Sequence, residues 1–365
     1  FLMASKNIQR PGAQPLHMVS PLVECVPNIS EGRNLAVIES IVDAVRQTSG
    51  CTVLGVEPDH DYNRTVITFA GEPDCVGKGA IELIKASVEH LDMRLHQGEH
   101  PRLGVVDVCP FVPLKGITMD ECAELARGVV DALSHELDVP FFLYGAAASS
   151  KERVMLSDLR RGEYEGLEAR LSEGPCDHNE STRLPDRGAI EWNETVAKSG
   201  GITVGARPIL VAYNVNVDEK EAIVAKKIGS IVRSSGRLLK SNSGQKIRTV
   251  GMLKKVQGMG VMLEELGISQ VSMNLLDVGL TPLHLAYKAC ESLARDHNTE
   301  LCGSEIVGLV PLPAMLDAGR FFQPGCKSEQ ELVMAAVEGL GLNIHHDFDP
   351  QRHIIEWALS REVGA

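Results

Sequence analysis

The chain has 365 residues, of which 44% are hydrophobic and 23% charged, so it holds ample material for a buried core and its length favours two domains. A formal net charge of −13 excludes a nucleic-acid protein, because no basic surplus exists to neutralise phosphates, yet local Arg and Lys clusters can still hold a small anion. Nine cysteines without a CxxC pair exclude a disulfide framework or zinc ribbon and read as reduced thiols of a cytoplasmic protein, and no apolar run approaches the roughly 18 residues that span a bilayer.

Residues 1–20 contain Lys6, Arg10, Pro11 and Pro15 and no acid; they read as an unstructured tail, with a targeting segment as the alternative. Short buried strands are expected at 23–28 and 51–57, flanking a helix at 34–48 that Gly50 closes. A strand at 65–70, a helix at 74–91, a strand within 105–114, a helix at 119–136 and a strand at 140–144 follow. Two adjacent strands lack a helix between them, so the pattern is β-α-β-β-α-β. This predicts an α/β (α+β sandwich) fold with mixed, ferredoxin-like sheets covered by helices. The polar, aperiodic stretch after residue 171 reads as a linker, giving expected domains at 21–171 and 204–345, a linker at 172–203 and a tail at 346–365. The second round comprises a strand at 208–216, a helix at 218–235, strands near 250–257 and 270–277, a helix at 281–296 and a strand at 305–311. DVCPFVPLKG (107–116) echoes EIVGLVPLPA (305–314), which suggests duplicated halves with a ligand groove between them.

The chemistry concentrates in 92–114, DMRLHQGEHPRLGVVDVCPFVPL. Pro101 pushes His100 away from helical backbone, which sets that imidazole on an extended loop at the sheet's lip. His96, Glu99 and His100 also fit the H-x-x-E-H zinc signature, but that motif needs a continuous helix, and Gly98 and Pro101 oppose one. No metal is therefore expected. A second polar cluster, Glu57 to Arg64, sits on a strand-end loop, and a glycine-bearing run at 199–207 precedes the second round.

These segments, with VECVPNISEGRN (23–34), NRTVITFAG (63–71), TVGARPILVAYNVN (203–216), LKKVQGMG (253–260) and QVSMNLLD (270–277), resemble the glutamate formimidoyltransferase family. Some animals carry this formiminotransferase fused to a cyclodeaminase, for which residues beyond about 345 leave little room; a monofunctional enzyme is expected. The resemblance implies a homodimer of paired α/β halves that holds folate in a tunnel between them. It implies transfer of the formimino group from N-formimino-L-glutamate to tetrahydrofolate, the co-substrate, in histidine degradation and one-carbon metabolism. Neither nucleic acid nor membrane is an expected partner. The family's catalytic base is the His of GEHPR, His100 here. Glu57 stands where the family has an assisting Asp, and Asp59 is the substitute. The family's folate-binding segment aligns with Glu191, Trp192, Asn193, Glu194, Thr195, Val196, Ala197, Lys198, Ser199 and Gly200, which lack its Gly-Pro-rich turn.

Arg64, Arg102 and Arg207 are the candidates for substrate carboxylates, since guanidinium pairs them bidentately. Lys254 and Lys255 are candidates for the folate tail; Asn28, Asn63 and Asn274 are candidates for hydrogen bonds to the pterin or formiminoglutamate. Rival readings are a related enzyme acting on 5-formyltetrahydrofolate, a non-catalytic folate-binding protein and a zinc hydrolase.

Overall fold

Two β-α-β-β-α-β units form the body of the computed structural model, which describes residues 21–60, 62–98, 101–172, 184–240, 245–264, 266–345 and 347–363. The first unit runs β1 (Leu22–Cys25), β2 (Asn28–Ile29), α1 (Leu35–Arg46), β3 (Cys51–Asp59), β4 (Arg64–Gly71), α2 (Pro73–His90) and β5 (Val106–Lys115). The element order is the one the sequence pattern anticipated, and within this unit the strands pair antiparallel in the order β3-β4-(β1, β2)-β5. The Asn34 side chain accepts from Val37 N and starts α1, while Pro73 begins α2, where a missing N–H costs nothing.

The same sheet then grows by a helical layer and three strands: α3 (Met119–Ser134), β6 (Pro140–Gly145), α4 (Leu156–Leu159), α5 (Leu167–Ser172), β7 (Arg187–Gly188), α6 (Glu194–Ser199) and β8 (Ile202–Ala206). A Thr118–Glu121 capping box opens α3. β8 inserts between β5 and β6, parallel to both, and all five of its residues are buried. The expected linker at 172–203 therefore contains β7, α6 and the start of β8, and the expected boundary at 203/204 falls inside a central strand. A five-residue strand buried on both faces lacks the alternation that marks a half-exposed one.

The second unit runs β9 (Val211–Val217), α7 (Ile223–Val232), β10 (Leu238–Lys240), β11 (Lys246–Arg248), β12 (Val256–Leu263), β13 (Ile268–Leu275), α8 (Leu283–Asp296) and β14 (Leu301–Val307), with β10 and β11 as a separate exposed hairpin. Its sheet order, β12-β13-β9-β14, repeats the first unit's arrangement. The strand expected at 250–257 starts only at Val256, after a turn in which Lys255 is left-handed (φ 54°). The VPL echo is local: it lies within β5 in the first half but after β14 in the second.

α9 (Leu312–Phe322), α10 (Glu329–Leu340), α11 (Pro350–His353) and α12 (Ile355–Val363) complete the chain. Residues 347–363 are no free tail. Val310 N donates to His353 O (2.9 Å), and Ile355 N donates to Val310 O (3.1 Å). Ile355 and Leu359 pack with Ala70 of β4, bordered by Leu54 and Leu114 from the first half and Leu309 from the second. Each such burial is worth about 1.5–3 kcal/mol, so α12 clasps the two halves.

Strand alternation sorts each sheet into two faces. Val23, Cys25, Ile67 and Phe69 enter the first helix-covered core; Tyr213, Val215, Val271 and Met273 enter the second. The opposite faces carry Glu24, Asn28 and Thr68 in the first half and Asn214, Asn216 and Gln270 in the second. Among the described residues, eight cysteines are free thiols and no helix is long and apolar enough to cross a membrane.

Candidate active site

A cavity of about 510 Å³ lies where the two helix-free sheet faces meet. β1 to β4 contribute Glu24, Val26, Asn28, Glu57, Asp59, Arg64 and Thr68; the crossover after β8 contributes Arg207, and the second half contributes Ala212, Asn274 and Gly308. Strand register fixes the floor. Glu57 and Asn28 both pair with Val66, whereas Glu24 pairs with Ala70. The Glu57 and Glu24 rows are thus four residues apart on β4, about 14 Å at roughly 3.4 Å per residue.

The electrostatics differ between those rows. At the first, Arg64 Nη1 donates to Asn28 Oδ1 (3.0 Å), while its Nε is buried without a hydrogen-bond partner. Burial raises the pKa of Glu57, and the nearby His353 and Arg64 pull it back. Gly308 faces this carboxylate closely: a Cβ there would meet Glu57 Oε1 at 3.3 Å, and its φ of 77° also favours glycine. Asp59 is partly committed, since its Oδ1 accepts from Tyr62 N (3.0 Å). At the far row, Glu24 is only 4% exposed. Burial pushes its carboxyl up to about 7, against the pull of Arg207 and with a further push from Glu356.

His100, with Glu99 and Asp61, lies outside the described residues. Its neighbours show how the loop is tied. Asn63, left-handed at φ 50° in the β3–β4 turn, accepts from Gly32 N (2.9 Å) and donates from Nδ2 to Gln97 O (2.9 Å). Gly98 lies so close to the turn that a Cβ would meet Tyr62 O at 2.4 Å. His96 Nδ1 accepts from Arg102 Nε (3.2 Å), so Nε2 carries the proton donated to Asn63 O (2.8 Å). Burial lowers the pKa of His96. Residues 93–98 form a turn and extended backbone, not the helix that the zinc motif needs, and both His96 nitrogens are engaged.

Several expected ligand contacts are taken up elsewhere. Arg102 is buried and grips Glu165 through Nη1 (2.9 Å) and Nη2 (2.6 Å); it anchors the loop and is not among the residues that line this cavity. Asn63 likewise spends its amide on backbone. In 191–200, Asn193 caps α6, Val196 is fully buried in an apolar cluster and Ser199 is 0% exposed. Lys198 Nζ donates to Glu89 O (2.8 Å), and Lys198 O and Ser199 O accept from Met93 N and Val105 N (both 2.8 Å). Gly200 bridges Gly104. This segment straps the 93–105 loop and does not line the cavity, nor do Glu191, Trp192, Glu194, Thr195 and Ala197. Lys254 and Lys255 are exposed outside it. Of the expected set, Asn28, Glu57, Asp59, Arg64, Arg207 and Asn274 line the cavity together. Sequence reasoning missed Glu24, whose signal was a lone acid inside an apolar strand.

Comparison with known proteins places this geometry. Residues 22–207 match the family model described as "Formiminotransferase domain, N-terminal subdomain", and residues 212–360 match "Formiminotransferase domain", with the division falling after β8. The chain is 42% identical over 346 residues to formimidoyltransferase-cyclodeaminase from Rattus norvegicus, covering 93% of this chain and 60% of that protein. It is 37% identical over 304 residues to glutamate formimidoyltransferase from Streptococcus pyogenes serotype M1, covering 83% and 94%, and 36% identical over 303 residues to the Thermoplasma acidophilum enzyme of that name, covering 82% and 92%. The chain thus spans about 60% of the length of its bifunctional animal relatives.

Proposed function

Because the chain belongs to the formiminotransferase family, we propose that it transfers the formimino group of N-formimino-L-glutamate to N5 of tetrahydrofolate, releasing L-glutamate. The observation that carries this reading is its match to the streptococcal glutamate formimidoyltransferase over 94% of that protein, with both family subdomains in order. The cavity supports it chemically. Arg64 suits a substrate carboxylate, and the carboxylates of Glu57 and Asp59 suit an amidinium.

In the proposed reaction N5 attacks the amidine carbon, forming an N5–C bond and a tetrahedral adduct. His100 takes the proton from N5 and delivers it to the glutamate nitrogen as the old C–N bond breaks. An imidazole of ordinary pKa near 6.5 can do both near neutrality. Glu57, free of the turn contact that occupies Asp59, stabilises the amidinium charge. Support for His100 comes from its tethered neighbours: His96, Gln97 and Gly98 pack on the turn whose flanks, Asp59 and Arg64, line the cavity. We further propose a cytoplasmic homodimer, consistent with the free thiols.

The test is a tetrahydrofolate-dependent assay of glutamate release from formiminoglutamate, with 5-formyltetrahydrofolate as a second donor. Turnover with the formyl donor alone, or with neither, removes the assignment. Light scattering that returns a monomer mass removes the dimer.

A further inference from the structure

The far row of the cavity holds a buried acceptor and a donor that do not satisfy each other. Glu24 points from β1 into the cavity, and among the described residues no group donates a hydrogen bond to its carboxyl. Arg207 lines the same end, held in place by Arg207 N on Phe111 O (3.1 Å) and Arg207 Nη1 on Pro208 O (3.2 Å), with no further guanidinium hydrogen bond among the described residues. The two interact through charge yet form no ion pair. A buried carboxylate without donors is costly, and a ligand that supplied them would remove that cost.

We propose that Glu24 and Arg207 form the subsite that reads the pyrimidine edge of the pteridine, Glu24 accepting from the 2-amino group and N3–H while Arg207 donates to the 4-oxo group. This rests on the folate reading above and assigns the orientation of that co-substrate. The edge presents two adjacent donors beside one acceptor, which a carboxylate and a guanidinium match in sign and order. Thr68 and Val26 form the floor between the rows.

The subsite carries a pH signature. The groups acting on Glu24 are Arg207 and Glu356 from α12, with Lys115 acting on Glu356 in turn, while Glu24 itself pushes up the thiol of the neighbouring Cys25. A protonated Glu24 loses an acceptor site, so pteridine affinity should weaken as pH falls below about 7, approaching tenfold per unit.

The experiment measures binding of 5-formyltetrahydrofolate and of 6-methyltetrahydropterin, which has the pteridine but no tail, to wild-type protein and to Glu24→Gln, with near-ultraviolet circular dichroism as the folding control. The variant should lose roughly 10- to 100-fold for both ligands, the range for charged hydrogen bonds, and should lose the pH dependence, while the KM for formiminoglutamate stays unchanged. A loss confined to 5-formyltetrahydrofolate, no loss for either ligand, or failure of the wild type to bind the tail-less pterin overturns the subsite. Wild-type protein that binds neither ligand overturns the folate reading itself and the subsite with it.

Discussion

Asn63 Nδ2 donates to Gln97 O at 2.9 Å, joining the β3–β4 turn to the segment that leads into His100. The bond does not stand alone, since Asn63 Oδ1 accepts from Gly32 N and Asn63 O accepts from His96 Nε2. One left-handed residue thus gathers three chain segments. Asn63→Gly keeps the backbone conformation but removes both amide bonds. It should lower kcat about 10-fold or more with a small change in KM for either substrate, read by steady-state kinetics. A variant impaired only in KM would show that the bond positions ligand and not the loop.

His100→Ala should lose about 10²- to 10⁴-fold in kcat, the usual contribution of a positioned acid–base group, while folding and folate binding persist. Turnover and equilibrium binding of 5-formyltetrahydrofolate measured on the same preparation separate these effects. Wild-type turnover would remove His100 from proton transfer.

Asp107 sits four residues beyond Leu103, whose N–H donates to its Oδ1 (3.0 Å), and Arg160 grips it through Nε (3.1 Å) and Nη2 (2.5 Å). It is 1% exposed. Asp107→Ala therefore strands a largely buried guanidinium and frees the other end of the His100 loop. A cost of about 3–5 kcal/mol is expected in urea unfolding. A cost below 1 kcal/mol would mean that the pair is solvated in solution.

Glu24 makes the fold itself pH-sensitive. Its carboxyl binds a proton more tightly folded (about 7) than at its ordinary value of 4.5, so stability falls as pH rises through that window. The shift corresponds to about 3 kcal/mol by pH 8. Ligand-free Glu24→Gln should be more stable than wild type at pH 8 and should show a flatter profile between pH 5 and pH 8 in thermal unfolding. Parallel profiles for the two proteins would refute it.

The paired β-α-β-β-α-β units were legible because their helices are amphipathic and their strands alternate or run apolar, signals that act over a dozen residues. β8 was not, because five buried residues followed by Arg207 and Pro208 resemble a loop end as much as a strand. Site residues divided by the same logic. Glu57, Asp59 and Arg64 stood within eight residues of sequence and, at the adjoining ends of β3 and β4, reached the cavity together, whereas Arg102 stood beside His100 in sequence but found Glu165, 63 residues away. Only the tertiary fold decides which partner an arginine meets. Glu24 went unread because its significance depends on which face of β1 meets the second half.

The C-terminal helix supplies the last prediction. Ile355 is fully buried, and the residues around it come from both halves: Ala70 and Leu54 on one side, Leu309 on the other. The same segment carries Glu356, whose Oε2 accepts from Leu312 N (2.7 Å) at the start of α9 and whose charge acts on Glu24. Ile355→Ala removes a buried side chain at the seam and should cost about 2–5 kcal/mol. Because the seam forms the cavity wall, the loss should also loosen the spacing of Glu57 and Gly308. The expected outcome is a KM raised for both substrates, together with a lowered Tm that saturating 5-formyltetrahydrofolate partly restores by binding the closed pair of halves. If the Tm falls and both KM values stay at wild type, α12 stabilises the second half alone and the clasp across the seam is not its role.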